Sequence, residues 1–418
     1  MSAGSPGCHL DLERGHNVRI RTRLFLAALG LALAARAGSG AEPTPAKEAG
    51  GMEVRTYGSS QDPALKLSAE FHVPAEPKPL CLCFHGWHQS AAVSRTSEPF
   101  VVPLARQFFV VNVDMRGRGA GTGTPDASGF ELIDGLDALE YARKTWPSKV
   151  RPDAGPYLFG GSGGGGNVLA LAGKAPDMFS AAVAYAGMSD YALWYQDDKA
   201  GQYRDEMETR GWIGGSPATN PEGYRSRGGL HVLPNVLAHL LVIHGTQDSS
   251  VPFHHAENYK KRAEELQKQN VGFSFWKGGH SLPPADIPKS VAFFGEHARP
   301  PGLPAKGKLL VHSFLACRNF WLILDHPSRV GAAEYETAAD GELLSLAFAQ
   351  AAASVPVREV VLRLSGDVAA LSLDEKGGPR KVERWRQSGA WSDFRWKSDG
   401  PWTARVPGAP ADRPRPSR

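Results

Sequence analysis

The most constraining feature of the sequence is a run of small residues, Gly-Gly-Ser-Gly-Gly at 160–164, between two regular segments. It follows a short apolar run at 157–159 and precedes a helix-like run at 167–174. A serine on a sharp strand-to-helix turn needs small neighbours, because the turn strains the backbone and brings it against the adjacent helix and strand. The segment therefore predicts a strand, a tight turn carrying Ser162, and a helix.

Two other glycine-rich sites were weighed against this interpretation. A phosphate-binding loop would place a lysine before a serine or threonine after the last glycine, and the chain has Gly166-Asn167-Val168 there instead. A dinucleotide fingerprint usually lies in the first strand-turn-helix unit, whereas several predicted strands precede this turn. The pattern favours a nucleophile elbow with Ser162 at its apex.

Such a serine is a weak nucleophile until a histidine takes its proton and a carboxylate orients that histidine. A buried strand is predicted over 240–243, and Asp248 follows it in a loop. A helix is predicted over 256–269 and a strand over 272–276, and His280 lies in the loop behind that strand. Because α/β-hydrolases carry their triad in the order serine, acid, histidine, we predict Ser162 as nucleophile, Asp248 as acid and His280 as base.

Other residues compete for these roles, but their positions along the chain fit less well. Histidines at a strand-end turn, at a helix start and in an early loop do not follow the acid at the end of the final strand; they are His244, His254, His255, His85 and His88. The rival acids precede a segment that we interpret as a cap over the site; they are Asp190, Asp197 and Asp198.

Three stretches of the sequence resemble the catalytic domain of the prolyl oligopeptidase family of serine hydrolases, over roughly residues 78–297. They are the glycine-rich turn with residues 176–183, the loop at 244–252, and residues 220–226 behind 214–217. The resemblance implies an α/β-hydrolase fold, with Ser162, Asp248 and His280 as the triad. It also implies that Tyr191 and Trp194 line a small apolar specificity pocket, and ordinary core packing is the alternative for these two aromatics.

The oxyanion hole departs from the pattern of many family members. Gly163, directly after the nucleophile, supplies one backbone N–H donor. Where many members offer a tyrosine hydroxyl as the second donor, this chain has Phe84, followed by His85-Gly86-Trp87. We therefore predict the Trp87 N–H as the second donor.

The family's established peptidases usually carry a large β-propeller, and the roughly forty residues ahead of Lys78 leave no room for one. Without that filter, strict oligopeptide specificity is in doubt. The loop with Arg116 and Arg118 resembles carbohydrate esterases of this fold as much as peptidases. We interpret it as a tight loop after a strand at 109–113, and the alternative is that its two arginines bind an anionic substrate group. The leading hypothesis is a serine peptidase acting on short or exposed peptides. A carboxylesterase or carbohydrate (acetyl) esterase, and a non-catalytic binding protein on a hydrolase scaffold, are the alternatives.

Composition excludes some partner classes. The chain has 42% hydrophobic and 22% charged residues, which is typical of a globular protein. A net charge of +4, with no basic cluster interleaved with aromatics, argues against a nucleic-acid partner. The histidines lack a metal-site spacing, so neither a metal nor a cofactor is predicted. The oligomeric state is left open.

Residues 1–41 are predicted to be an export leader, because three arginines precede an apolar run at 24–35 and a small-residue site at 39–41. The protein would then be secreted or periplasmic, or the leader could remain as an anchor; stable membrane insertion is not expected once the leader is removed. The α/β-hydrolase domain is predicted over 42–301, and the buried Cys81 and Cys83 are assigned to its core rather than to a disulfide framework.

A proline-rich joint at 300–304 predicts a domain boundary, followed by a small α+β or β-rich domain over 302–409 and a disordered tail over 410–418. Strands are predicted at 320–324, 360–364 and 369–373, and a helix at 342–353. Four tryptophans then recur, and we assign them to the domain's core in preference to a sugar-stacking surface; they are Trp385, Trp391, Trp396 and Trp402.

Overall fold

A computed structural model of the chain describes residues 51–283, 286–351, 356–398 and 400–407. The predicted leader at 1–41 and the predicted tail at 410–418 lie outside the described residues. Among the described helices, none has the length and hydropathy needed to cross a membrane.

The first half of the described chain forms an eight-stranded sheet of order β1-β2-β4-β3-β5-β6-β7-β8. Strands β3 to β8 pair in parallel, whereas β1 and β2 are antiparallel at one edge. The strands are β1 Met52–Gly58, β2 Lys66–His72, β3 Leu80–Phe84, β4 Phe109–Val113, β5 Tyr157–Gly161, β6 Ala181–Tyr185, β7 His239–Gly245 and β8 Val271–Trp276.

Helices connect these strands and cover both faces of the sheet, as parallel crossovers require. Every residue of β3, β4, β5 and β6 is buried, which explains their continuous apolar sequences. The helices are α1 Ala91–Ser97, α2 Val101–Ala105, α3 Glu131–Thr145, α4 Gly163–Lys174, α5 Tyr191–Asp197, α6 Gln202–Glu208, α7 Pro221–Arg225, α8 Gly229–Val232, α9 His254–Glu265 and α10 Asp286–Glu296, with short 3₁₀ turns at Pro147–Lys149 and Leu233–Asn235.

Alternate residues of the central strands point into two separate cores. Leu82, Val111 and Leu158 pack with α3 and α4 on one face. Cys83 and Phe159 pack with α2 and α10 on the other. This open, mostly parallel sheet with a helical layer on each face confirms the predicted α/β class.

The second half of the described chain forms an antiparallel sheet of eleven strands, in the order β16-β15-β19-β13-β12-β9-β10-β11-β14-β18-β17. Its strands are β9 Lys306–His312, β10 Phe314–Ala316, β11 Phe320–Leu324, β12 Val330–Thr337, β13 Leu343–Gln350, β14 Glu359–Ser365, β15 Ala370–Glu375, β16 Gly378–Glu383, β17 Arg386–Ser388, β18 Trp391–Lys397 and β19 Trp402–Arg405. The three predicted strands of this region are β11, β14 and most of β15.

The predicted helix at 342–353 is wrong, since residues 343–350 form strand β13. Leucine and alanine favour a helix locally, but β13 lies between β12 and β19 and exchanges backbone hydrogen bonds with both. Leu346 and Phe348 are two residues apart and both face the core. Tertiary pairing thus outweighs local propensity here.

The four tryptophans divide into core and surface. Trp396 and Trp402 are 4% and 3% exposed and pack in the core of the antiparallel region, called the second core below, as predicted. Trp391 is half-buried and packs against the core that α3 and α4 cover on the parallel sheet. Trp385 is 48% exposed and lies between Arg386 and Arg395, so the core assignment is wrong for this residue.

Strands β10 and β11 join the two sheets, because their two faces belong to different cores. Leu315 and Leu322 pack inside the antiparallel region. Phe314, Trp321 and Ile323 face the other way and belong to the core of the parallel sheet. Polar contacts close the joint; for example, Lys174 Nζ donates to Ser313 Oγ at 2.9 Å. The proline-rich joint separates two sheets that share packing.

Candidate active site

Ser162 lies between β5 and α4 with φ 55° and ψ −120°. A positive φ is costly for a residue with a side chain, and such strain is typical of a nucleophile elbow. The Ser162 N–H donates to the carbonyl oxygen of Tyr185 in the neighbouring strand β6, at 2.9 Å. The turn predicted from the glycine-rich run is therefore formed, with Ser162 at its apex.

The glycines around Ser162 are required by close backbone approach. A Cβ at Gly164 would lie 2.1 Å from the carbonyl oxygen of Phe84, at the end of β3. A Cβ at Gly163 would lie 2.6 Å from the backbone nitrogen of Trp87. Side chains at either position would force the helix away from the sheet, so the run of glycines lets α4 begin directly behind the serine.

Asp248 lies just past β7 and hydrogen-bonds to His280, the residue predicted as its partner. Asp248 Oδ2 is 2.7 Å from His280 Nδ1, and its Oδ1 accepts the N–H groups of Ser250 and Val251 at 2.9 Å each. With Nδ1 donating to the carboxylate, His280 Nε2 is left as the basic nitrogen. The acid therefore holds the histidine in the tautomer that a general base needs.

Burial by itself raises the pKa of the Asp248 carboxyl, but hydrogen bonds from His244 and His280 and from the backbone outweigh it and hold the pKa well below its usual range. His244 is fully buried behind the carboxylate, and its Nε2 donates to the carbonyl oxygen of Val251 at 2.9 Å and lies 3.4 Å from Asp248 Oδ2. Asp248 thus stays ionised at neutral pH. From its sequence position, His244 was predicted only to be a turn residue at the end of a strand.

Ser162, Asp248 and His280 follow β5, β7 and β8, so all three lie at the same edge of the sheet. Tyr185, at the end of the intervening strand β6, accepts from Ser162 and places its ring 6.4 Å from the His280 ring. No hydrogen bond joins Ser162 Oγ to His280 in this conformation. Such catalytic contacts commonly tighten only when substrate is bound.

The two predicted oxyanion donors lie side by side. The Trp87 backbone nitrogen packs directly against Gly163, as the 2.6 Å approach to an added Cβ shows. Neither N–H donates to another described residue, so both are available to an oxygen of a substrate. His85 shapes this turn, since its Nδ1 lies 2.7 Å from the Gly86 oxygen and its Nε2 accepts the Met115 N–H. Burial lowers the pKa of His85 to about 4, so the ring is neutral.

A carboxylate that the sequence analysis missed holds the Trp87 side chain. Glu206 on α6 accepts from Trp87 Nε1 at 2.6 Å and lies 2.8 Å from His88 Nε2. The Trp87 ring then packs against Trp194 and Trp212, each with its centroid 4.9 Å away. Nothing local distinguishes Glu206 from the other acidic residues of α6, so only the tertiary structure brings it to the site.

The predicted pocket residues Tyr191 and Trp194 are both buried below Trp87. Tyr191 is fully buried and its hydroxyl is 2.7 Å from Ser128 Oγ, while Trp194 is 2% exposed and donates to the Ser250 oxygen. The cavity beside Gly163 and Trp87 has a volume of about 20 Å³, roughly the space of one water molecule. Tyr191 and Trp194 do not line it, and their role in substrate binding stays a prediction.

The rival acids have other partners in the described structure. Asp190 caps α5, Asp197 pairs with His254 at 2.7 Å, and Asp198 accepts the N–H groups of Gly201 and Arg204.

The two loop arginines have different surroundings. Arg116 is held by Asp134 and Asp126, whereas Arg118 lies over the Trp212 ring beside the cavity.

The sheet order and the placement of an elbow serine, an acid and a histidine at one sheet edge define a protein of the α/β-hydrolase class. Residues 101–294 match the model of the prolyl oligopeptidase family. This match confirms the resemblance seen in the sequence. A relative from Bacillus subtilis (strain 168), named an uncharacterized peptidase YtmA, is 27% identical over 225 residues, which cover 53% of this chain and 84% of the relative.

Solved structures are also similar. An acylaminoacyl peptidase from Pyrococcus horikoshii is 20% identical with a TM-score of 0.47, over 60% of this chain and 43% of its own. The esterase Pf2001 from Pyrococcus furiosus is 14% identical with a TM-score of 0.47, over 59% of this chain and 91% of its own. This chain thus spans less than half of the acylaminoacyl peptidase.

Proposed function

We propose that the protein is a serine peptidase of the prolyl oligopeptidase type that cleaves short or exposed peptides through an acyl-enzyme. The observation that carries this proposal is the 2.7 Å pairing of Asp248 with His280 at the sheet edge where Ser162 forms a strained elbow. The family match over residues 101–294 and the likeness to a relative named a peptidase favour amide substrates.

In the proposed first step, Ser162 Oγ attacks the substrate carbonyl carbon while His280 Nε2 takes the hydroxyl proton. The negative charge that develops on the carbonyl oxygen is stabilised by the backbone N–H groups of Gly163 and Trp87. Asp248 stabilises the imidazolium, because its carboxylate stays ionised and keeps the Nδ1–H bond.

In the second half of the reaction, His280 first gives its proton to the leaving amine, so that the carbon–nitrogen bond breaks and the acyl group remains on Ser162. Water then attacks the ester, with His280 again as the base, and the proton returns to Ser162 Oγ.

The second candidate is an esterase for small acyl groups, such as acetyl. The specific observation in its favour is the packing of Trp87 on Trp212, which leaves a cavity of about 20 Å³ beside the oxyanion donors. A site this small matches an acetyl methyl group better than a proline ring, unless the aromatic cluster opens.

The test compares two substrates that share an acyl group and differ only in the scissile atom, alanine p-nitroanilide and alanine p-nitrophenyl ester, together with acetyl and butyryl p-nitrophenyl esters. The quantity measured is kcat/KM of the protein from residue 42 onward. The peptidase proposal expects anilide turnover that depends on Ser162; the esterase candidate expects acetyl ester turnover without the anilide, falling steeply from acetyl to butyryl.

Ser162→Ala is the blank for both arms, because it removes the nucleophile and keeps the rest of the site. A fluorophosphonate probe gives an independent control. If the probe labels Ser162 of the wild-type protein but no substrate is turned over, the serine is reactive and the proposed substrate classes are wrong. Failure to label would instead support a non-catalytic binding protein and overturn both enzyme proposals.

Export remains a proposal that rests on the sequence of residues 1–41, in which arginines precede an apolar run and a small-residue site. We propose cleavage before Glu42. N-terminal sequencing of the protein recovered from outside the cytoplasm tests this, and a start upstream of residue 42 in that fraction would indicate a retained leader.

A further inference from the structure

Three potential metal ligands meet beside the acid loop, where α5 ends and α9 begins. Asp197 is the last residue of α5, and His254 and His255 are the first two residues of α9. Among the described residues, these side chains form the one group of three whose ligand atoms all lie within 4.8 Å of one another. Two imidazoles and a carboxylate are a ligand set that suits a divalent transition metal, above all Zn²⁺.

Two of the three distances between donor atoms are close to what such an ion needs, and the third is within 4.8 Å. Asp197 Oδ2 lies 2.7 Å from His254 Nε2 and 3.3 Å from His255 Nε2. Donors at about 2.0 to 2.2 Å from a tetrahedral Zn²⁺ are roughly 3.4 Å apart, so the pair with His254 has to open by about 0.7 Å. His254 reaches this with a small rotation, since its side chain is 40% exposed.

His255 supplies the observation that points to a ligand. Its side chain is fully buried, and neither ring nitrogen makes a hydrogen bond to a described residue. His255 Nε2 lies 3.3 Å from Asp197 Oδ2, which is close enough for a hydrogen bond, but the ring nitrogen is not oriented correctly toward the carboxylate oxygen. Buried imidazoles are rarely left unpaired. A cation beside the carboxylate oxygen would be bound by the Nε2 lone pair.

The charges around the group act in both directions. The positive end of α9 opposes a cation. Two carboxylates offset that effect, because Asp197 belongs to the group and Asp190 acts on His255 from the start of α5. Asp190 is itself shared with His231, whose Nε2 lies 3.2 Å from Oδ2. The exposed side of His254 leaves a path from solvent, which a metal site also requires.

We propose that Asp197, His254 and His255 form a Zn²⁺ site with three protein ligands and water as the fourth ligand. The ion would fasten α5 to the loop that carries the acid. That connection already exists in part, because Trp194 on α5 donates to the Ser250 oxygen and the Ser250 N–H donates to Asp248. Two adjacent histidines are not a recognised metal-site spacing in sequence, and the third ligand lies 57 residues earlier. No local pattern indicated a metal, which is why none was predicted from the sequence.

The experiment uses the full chain, stripped with a chelator and titrated with Zn²⁺ by calorimetry, and with Co²⁺ by visible absorption. We expect one ion per chain, the intense bands of tetrahedral Co²⁺, and a Tm increase on the order of 5 °C at saturating Zn²⁺. Asp197→Asn and His254→Gln should each weaken Zn²⁺ binding at least tenfold, to a degree typical of a lost ligand or its partner. Both side chains are partly exposed, so these variants are expected to fold.

His239→Gln is the matched control. His239 stacks on His297 with ring centroids 3.6 Å apart, which gives a second histidine pair but without the carboxylate arrangement. Zn²⁺ binding that is unchanged in this control and weakened in both ligand variants supports the site. The proposal would be overturned if the chain did not bind Zn²⁺ stoichiometrically, if His239→Gln weakened Zn²⁺ binding as much as the ligand variants, or if Asp197→Asn bound Zn²⁺ with unchanged affinity. The readout is metal binding, so it does not depend on whether the proposed hydrolase activity is right.

Discussion

Both sheets of this molecule bury apolar side chains, but only the parallel sheet brings polar loop residues together at one edge. In the parallel sheet the strands run in one direction, so the loops behind β5, β7 and β8 meet at one edge and bring Ser162, Asp248 and His280 together. In the antiparallel sheet, neighbouring strands end at opposite edges, and its buried side chains pack mainly with one another. The comparison shows how strand direction decides where polar loop residues can converge.

The regions nevertheless depend on each other. Phe314, Trp321 and Ile323 of the antiparallel sheet complete the core under α3 and α4. The buried Arg227 beside α7 donates to the Pro327 oxygen and to Ser328 across the joint. We therefore regard the antiparallel region as a cover that stabilises the parallel sheet, while the proposed triad lies on the parallel sheet.

The largest expected effect comes from removing residues 302–418. This change would expose the apolar surface that Phe314 and Trp321 cover, so residues 42–301 should fail to give a cooperative unfolding transition. Circular dichroism with thermal unfolding measures this. A truncated protein that unfolds cooperatively and still reacts with a fluorophosphonate at Ser162 would show that the two regions are independent.

The second prediction separates chemistry from stability. Ser162→Ala should lower kcat/KM by about 10⁵-fold, because the nucleophile is lost, with little change in Tm. Activity and thermal unfolding are measured on the same preparation. Retention of even a tenth of the activity would remove Ser162 from its proposed role.

A pair of tryptophans tests the antiparallel region by itself. Trp396→Ala should lower the free energy of unfolding by about 3–5 kcal/mol, since it leaves a cavity in the second core, with kcat/KM unchanged for the folded fraction. Trp385→Ala is the matched surface change and should cost about 1 kcal/mol or less, because only its contacts with two arginines are lost. Denaturant titration distinguishes them, and equal losses would contradict the division into core and surface.

The smallest effect concerns pH. The Asp248 pKa is lower in the folded state than in the unfolded state, so ionised Asp248 contributes stability above a pH of about 4, and this contribution is lost as the pH falls through and below that value. The difference in unfolding free energy between wild type and Asp248→Asn should therefore shrink by on the order of 1 kcal/mol from pH 7 to pH 3. A difference that is constant with pH would mean that the hydrogen bonds of Asp248 do not depend on its charge.

Local pattern predicted the parallel part of the first sheet well, because its central strands β3 to β6 are short, fully buried runs that end in loops. The turn at Ser162 was predictable for the same reason, since close backbone approach requires the glycines next to it. The helix prediction at 342–353 was wrong because the pairing partners of β13 lie elsewhere in the chain. The contact of Glu206 with Trp87 spans 119 residues, and no local pattern encodes it.

By itself, the sequence determined which residues are able to turn, which strands are buried, and the order in which a serine, an acid and a histidine occur. These properties depend on steric limits and on hydropathy within a few residues. The tertiary structure alone decided that Trp194 is buried under Trp87, that β10 and β11 serve two cores, and that Asp197 meets His255. Those outcomes depend on packing between segments far apart in the chain, where the burial of a whole surface outweighs the preference of any one segment.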